Sequence, residues 1–162
     1  MRPILASFLT LATMLLPLSG HAEIAPRDGW QVIETEMQPA RLLKKLRAAV
    51  SAEGMGVVTQ AGPTATARAR GIEIPENRVV GVFNNDFAVR VLALSTAAMI
   101  EAPIRFYVTE AADGTATLSW KTPSLVFAPY LEEGGAPLEE IAQDLDRRFD
   151  AIAARAIAEG EN

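Results

Sequence analysis

Cysteine is absent from this 162-residue chain, and histidine occurs once, at His21. The first absence means that no disulfide can form in any compartment, so the fold must hold by packing alone. The second matters because His21 lies in an N-terminal segment expected to be removed. From Glu23 onward the chain has neither an imidazole nor a thiol. Acid–base catalysis near neutrality leans first on His, whose pKa lies near the operating pH. Serine and cysteine triads need an imidazole or a thiol. Zinc, copper, haem and iron–sulfur sites draw mainly on the same two residue types. All of these chemistries lose their residues together, and no cofactor or metal is expected.

Long apolar runs are also scarce. The one present, Ile4 to Leu18, has 15 residues and follows Met1 and the positive Arg2. Ser19-Gly20-His21-Ala22 closes it with small residues at Gly20 and Ala22, as signal peptidase requires. A spanning helix needs about 20 apolar residues, and Pro17 and Gly20 weaken the end of this run. Residues 1–22 are therefore expected to be a signal peptide cleaved after Ala22, leaving residues 23–162 as one domain in the periplasm or outside the cell. Lipid attachment would need a cysteine at the cleavage site. No later segment is long and apolar enough to anchor the product, so no membrane partner is expected after cleavage.

Basic charge is in short supply. The formal net charge is −5; removing Arg2 leaves 14 basic against 20 acidic residues, or 14 − 20 = −6. A nucleic-acid partner would need a basic face. The densest basic group, Arg41, Lys44, Lys45 and Arg47, fits the wet side of a helix, so nucleic acid is not an expected partner.

What is present reads as alternating strands and helices. Trp30 to Met37 alternates, with Ile33, Thr35 and Met37 on one side, which predicts a half-buried strand. Pro39 opens a helix with Leu43, Leu46 and Val50 as its apolar stripe, and Gly54 ends it. Met55 to Ala61 is a second strand. Gly62 to Gly71 is either a loop or one short helix capped by Thr64. Arg78 to Asn84 is a third strand, apolar on both sides and so expected to be central. Asn85 or Asp86 then caps a helix running to about Ile100, with Phe87, Val91, Leu94 and Ala98 buried. Ile104 to Glu110 and Thr115 to Lys121 form a hairpin across Asp113-Gly114. Ile104, Phe106, Val108, Leu118 and Trp120 face the core. Arg105, Tyr107, Thr109, Thr117, Ser119 and Lys121 share the other face. Pro137 opens the last helix, with Leu138, Ile141, Leu145, Phe149 and Ile152 as its stripe and Arg155 on its wet side. The fold class expected is α+β: a mostly antiparallel sheet of about five strands with helices on one face, in the order β-α-β-(short α)-β-α-β-β-α.

Several stretches together carry a family resemblance. They are Leu46 through Gly54, then Gly71, Glu73 and Pro75, then Phe83-Asn84-Asn85. Ala102-Pro103-Ile104 enters the hairpin, Ala112-Asp113-Gly114 forms its tip, and Ser119-Trp120-Lys121-Thr122-Pro123 leaves it. In order and spacing the chain resembles the bacterial domain-of-unknown-function family number 302 over nearly its whole mature length. That family often has Gly-Asn-Pro where Asn84-Asn85-Asp86 stands here, and Ser-Tyr-Asn-Asp-Pro where Ser119 to Pro123 stands. Asn85 thus keeps the pattern of polar turn residues, and Lys121 and Thr122 depart from it. The resemblance implies a compact α+β fold like that of the TATA-binding-protein superfold, and homodimers. It implies no established activity.

Candidate site residues compete with plainer roles. Asn85 and Asp86, at a helix start, could hold an anion on free N–H groups, or one of them could simply cap the helix. Trp120, Tyr107 and Tyr130 could line an apolar pocket, although Trp120 alternates onto the core side. Arg70 and Arg68 could join Lys121 to clamp a carboxylate or phosphate, or be solvated in a loop. Glu132, Glu133, Glu139 and Glu140 lack the alternating spacing of a calcium loop. The ligand-binding candidates are thus Asn85, Arg70, Lys121 and Tyr107. The functional expectation is an exported, non-catalytic domain, homo-oligomeric, that binds a small molecule or an envelope protein. The alternatives are an enzyme working through carboxylates or Lys121, and a structural accessory of the envelope.

Overall fold

The computed structural model describes residues 24–158, so the expected export segment lies outside the described residues. Its elements are β1 (Trp30–Glu34), α1 (Pro39–Ala52), β2 (Gly56–Ala61), α2 (Thr64–Ala69), β3 (Asn77–Phe83), α3 (Asn85–Leu94), β4 (Ile104–Glu110), β5 (Ala116–Lys121), α4 (Pro123–Phe127) and α5 (Leu131–Ile157). Single 3-10 turns lie at Ala98–Glu101 and Ala128–Tyr130. The strands form one antiparallel sheet of 5 strands in the order β1-β5-β4-β3-β2. This is the expected α+β architecture.

Alternation places the core. Cross-strand pairing sets Phe106 opposite both Trp120 and Val80, and Leu118 opposite both Val108 and Ile33, all on the inner face. Over that face lie Leu42, Leu46 and Val50 of α1, and Leu138, Ile141, Leu145, Phe149 and Ile152 of α5, all buried. Their spacing of three and four residues brings each set onto one side of its helix. At the centre Phe149 stacks on Phe106, with ring centroids 4.6 Å apart and planes inclined by 17°. Phe106 in turn meets Trp120 at 5.2 Å. The β4–β5 hairpin turns through Ala112-Asp113-Gly114, with Gly114 at φ 85°. Asp113 Oδ1 accepts from both the backbone N–H and the hydroxyl of Thr115, at 2.9 and 2.6 Å. Those bonds hold its carboxyl below the usual range.

Several local expectations are corrected. Asn84 caps α3, not Asn85 or Asp86: its Oδ1 accepts from Asp86 N and Phe87 N at 2.9 and 3.2 Å. Asn84 alone has the extended backbone (φ −143°, ψ 129°) that aims a side chain back at these donors. The helix stops at Leu94 rather than Ile100, because Ser95 is extended and its hydroxyl takes up the N–H of Ala98 at 3.0 Å. The short helix α2 forms, but Thr64 does not cap it. Thr64 is buried, and its hydroxyl donates to Pro75 O at 3.1 Å and accepts from Asn77 N at 3.2 Å, fastening α2 to the start of β3. The central strand is β4, while β3 lies between it and edge strand β2. Within β3, a Cβ at Gly81 would collide with Thr59 Oγ1 and come within 2.9 Å of Pro103 Cγ, so only glycine fits there. Finally, α5 starts at Leu131. Gly135 breaks it at φ 58° and ψ −158°, a conformation open essentially to glycine, and Pro137 opens the long amphipathic stretch beyond.

Candidate functional site

On the side of the sheet away from α1 and α5, side chains of β1, β5, β4 and β3 stand in rows. Trp30 lies opposite Lys121, Tyr107 opposite both Ser119 and Val79, and Arg105 opposite Gly81. The place of a side chain at Gly81 is taken by Thr59 Oγ1 and Pro103 Cγ. Between these rows and the chain entering β4 runs an open groove of about 360 Å³. Trp30, Val79, Arg105, Tyr107 and Lys121 line it, together with Glu101 and Val126. The volume falls within the range of small-molecule sites, and the walls are mostly apolar with a few charged groups, as such sites usually are.

Electrostatically, the groove differs from the chain that carries it. Arg105 and Lys121 are exposed, and neither forms an ion pair among the described residues. Lys121 Nζ lies 5.7 Å from the centroid of the Trp30 ring, and Arg27 Cζ lies 5.0 Å from it. Both distances suit a cation–π contact, so Trp30 holds Lys121 at the groove while leaving its charge uncompensated. Glu101, the carboxylate of the groove lining, accepts the Tyr130 hydroxyl at 2.8 Å. That hydrogen bond, with desolvation and the charges of Glu101 and Glu133, pushes the Tyr130 phenol above its ordinary range. Tyr130 therefore stays a donor to Glu101 across the physiological range. Tyr107 accepts a short hydrogen bond from the Asn77 amide, which fixes its ring over the sheet. Two buried polar atoms of β5 have no hydrogen-bond partner among the described residues, Ser119 Oγ and Trp120 Nε1. An unpaired buried group costs about 1–3 kcal/mol and calls for an explanation.

Of the four candidates, the fold brings two together: Tyr107 and Lys121 line one groove, with Trp120 beside them. Arg70 does not join them; it is the exposed C-cap of α2. Its neighbour Arg68 lies 4.0 Å from Glu73. Asn85 is the exposed first residue of α3. Tyr130 takes part only through Glu101. Arg105 and Trp30 were not read as site residues, although the alternation of β4 already placed Arg105 on the same face as Tyr107 and Lys121. Glu132, Glu133, Glu139 and Glu140 do not assemble, and no metal-holding cluster of His, Cys, Asp or Glu occurs among the described residues.

A family model described as "Domain of unknown function DUF302" matches residues 31–156. The chain belongs to that family. A crystal structure of an uncharacterized conserved DUF302 protein from Bacillus stearothermophilus superposes with a TM-score of 0.71 at 21% identity, covering 80% of this chain and 99% of that one. At that identity the likeness establishes the fold alone. No curated protein matches the chain. Among the described residues no helix is long and apolar enough to cross a membrane.

Proposed function

We propose that this chain is an exported, non-catalytic binding domain that works as a homodimer and holds a small molecule in the groove of its outer sheet face. The observation that carries this reading is the pair of uncompensated cations, Arg105 and Lys121, on apolar and aromatic walls. Catalysis would call for a carboxyl strongly raised within the cleft. Asp150 is pushed upward by desolvation and by the charge of Asp146, but it does not line the groove. The groove's own carboxylate, Glu101, is engaged by Tyr130. Export rests on the pattern of Met1 to Ala22. The dimer rests on the family resemblance and on β2, an edge strand whose residues Gly56 to Ala61 include neither a charge nor a proline. Such an edge is open to pairing with a second chain.

Native mass spectrometry of the protein purified from its own periplasm tests the three parts together. The expected result is a dimer whose chains begin at Glu23 and retain a small molecule. An intact Met1 on membrane-bound protein would remove export, a monomer would remove the dimer, and turnover of the retained compound would replace binding with catalysis.

A further inference from the structure

Resting on the groove as the binding site, we infer that its ligand is an organic anion, a carboxylate or similar singly charged group carried on a flat apolar body. Charge sets the sign. Arg105 and Lys121 line the groove against the one carboxylate of Glu101, in a chain whose formal net charge is −5. A local positive site on an acidic protein selects for anions while the surroundings repel them elsewhere. Arg105 presents a planar fork of donors suited to two carboxylate oxygens, and Lys121 adds a point charge from the neighbouring strand.

The walls set the body. Two cations and one carboxylate leave a single positive charge in the lining, which one anionic group balances; a polyphosphate would be left with excess negative charge. Trp30, Tyr107 and Val79 offer extended apolar surface along the rest of the groove. The Asn77 amide fixes the Tyr107 ring, and two cations flank the Trp30 ring, so both are preset rather than ordered by the ligand. Preset aromatic walls lower the cost of binding a flat molecule.

The test uses the purified protein and three probes: 2-naphthoate, its neutral analogue 2-naphthamide, and inorganic phosphate. Amide and indole N–H chemical shifts are followed by NMR. Naphthoate should shift residues 105–107, 121 and the Trp30 indole saturably, and bind at least about tenfold more tightly than naphthamide. Arg105→Gln and Lys121→Gln should each weaken naphthoate about five- to tenfold and weaken naphthamide by a clearly smaller factor, with melting temperature confirming that the variants are folded. Equal binding of naphthamide and naphthoate would overturn the anion and leave the groove standing. Phosphate binding as well as naphthoate would overturn the apolar body. Failure of naphthoate to shift the groove residues overturns the inference outright. If a molecule retained from the periplasm nevertheless shifts those residues, the binding-domain reading survives that failure; if it perturbs another surface, that reading falls too.

Discussion

Arg155 closes on Glu53 across 102 residues of sequence, its Nε and Nη2 lying 3.0 and 2.9 Å from one carboxylate oxygen, Oε1. Glu53 is the C-cap of α1, and its backbone carbonyl also accepts from Arg148 Nη1 at 2.5 Å. The last turns of α5 are thus tied to the end of α1 by two arginines. The wet side of α5 is therefore not free of contacts, although Arg155 remains 58% exposed. Exposure keeps such a pair weak, about 0.2–1 kcal/mol. Arg155→Ala and Glu53→Gln should each cost within that range, and the double variant should cost less than their sum. Urea melts of the four proteins measure the coupling, and strict additivity would mean that the pair contributes nothing.

Phe149→Ala should cost far more, about 3–5 kcal/mol. The side chain is fully buried and stacks on Phe106, which itself packs on Trp120, so truncation empties the middle of the core. Leu145→Ala should lie in the range of about 2–5 kcal/mol for the same reason. Urea melts that gave all these α5 variants losses similar to that of Arg155→Ala would show that the helix is not docked on the sheet through this stripe.

What could be read from sequence was whatever periodicity encodes locally. The stripes of α1 and α5 and the alternation of β4 and β5 state burial residue by residue, and the sheet, the hairpin and the shared face of Tyr107 and Lys121 followed. Features decided by contacts distant in sequence were not readable. Ser95 ends α3 with no glycine or proline beside it, held instead by Glu133, whose carboxylate accepts the Ser95 hydroxyl at 2.5 Å. Whether Arg70 reaches Lys121 depends on where α2 lies relative to β5. Arg105 stood in plain view on the right face, but only the walls around it mark it as part of a groove. The helix α4 did leave a local signal: Thr122 followed by Pro123 is a cap and first-turn pair, and Thr122 Oγ1 accepts from Leu125 N at 3.2 Å.

The cap of α3 separates two adjacent asparagines. Asn84 accepts from two backbone N–H groups and also donates to Gly54 O at 2.9 Å, joining α3 to the turn after α1. Asn84→Ala should therefore cost about 1–2 kcal/mol. Asn85→Ala, at an exposed position just inside the helix, should stay within about 0.5 kcal/mol. Thermal melts of the two variants decide it, and a larger loss for Asn85 would return the cap to that residue.

The last expectation concerns pH, and its sign follows from Asp150. Desolvation and the nearby Asp146 charge raise its carboxyl above the ordinary range of an aspartate, so the folded chain holds this proton more tightly than the unfolded one. A raised carboxyl contributes stability that is present below the unfolded pKa and lost as pH rises through the folded one. Asp146 meanwhile accepts Ser124 N at 2.9 Å and the Ser124 hydroxyl, which keeps its charge facing Asp150. Asp150→Asn removes the repulsion, so it should leave stability unchanged near pH 3.5 and raise it near pH 6 to 7. Asp150 is exposed, so solvent screening limits the gain to about 0.5 kcal/mol or less. With no His or Cys from Glu23 onward, stability should otherwise be nearly flat between about pH 6 and 8. Micromolar zinc or copper, lacking imidazole and thiolate ligands, should leave the melting temperature unchanged. Differential scanning fluorimetry of wild type and Asp150→Asn across pH, with and without each metal, reads all three. A difference between the two proteins that shrinks as pH rises would reverse the sign assigned to Asp150. A sharp transition near pH 7 would identify a strongly shifted buried carboxyl and favour catalysis over binding.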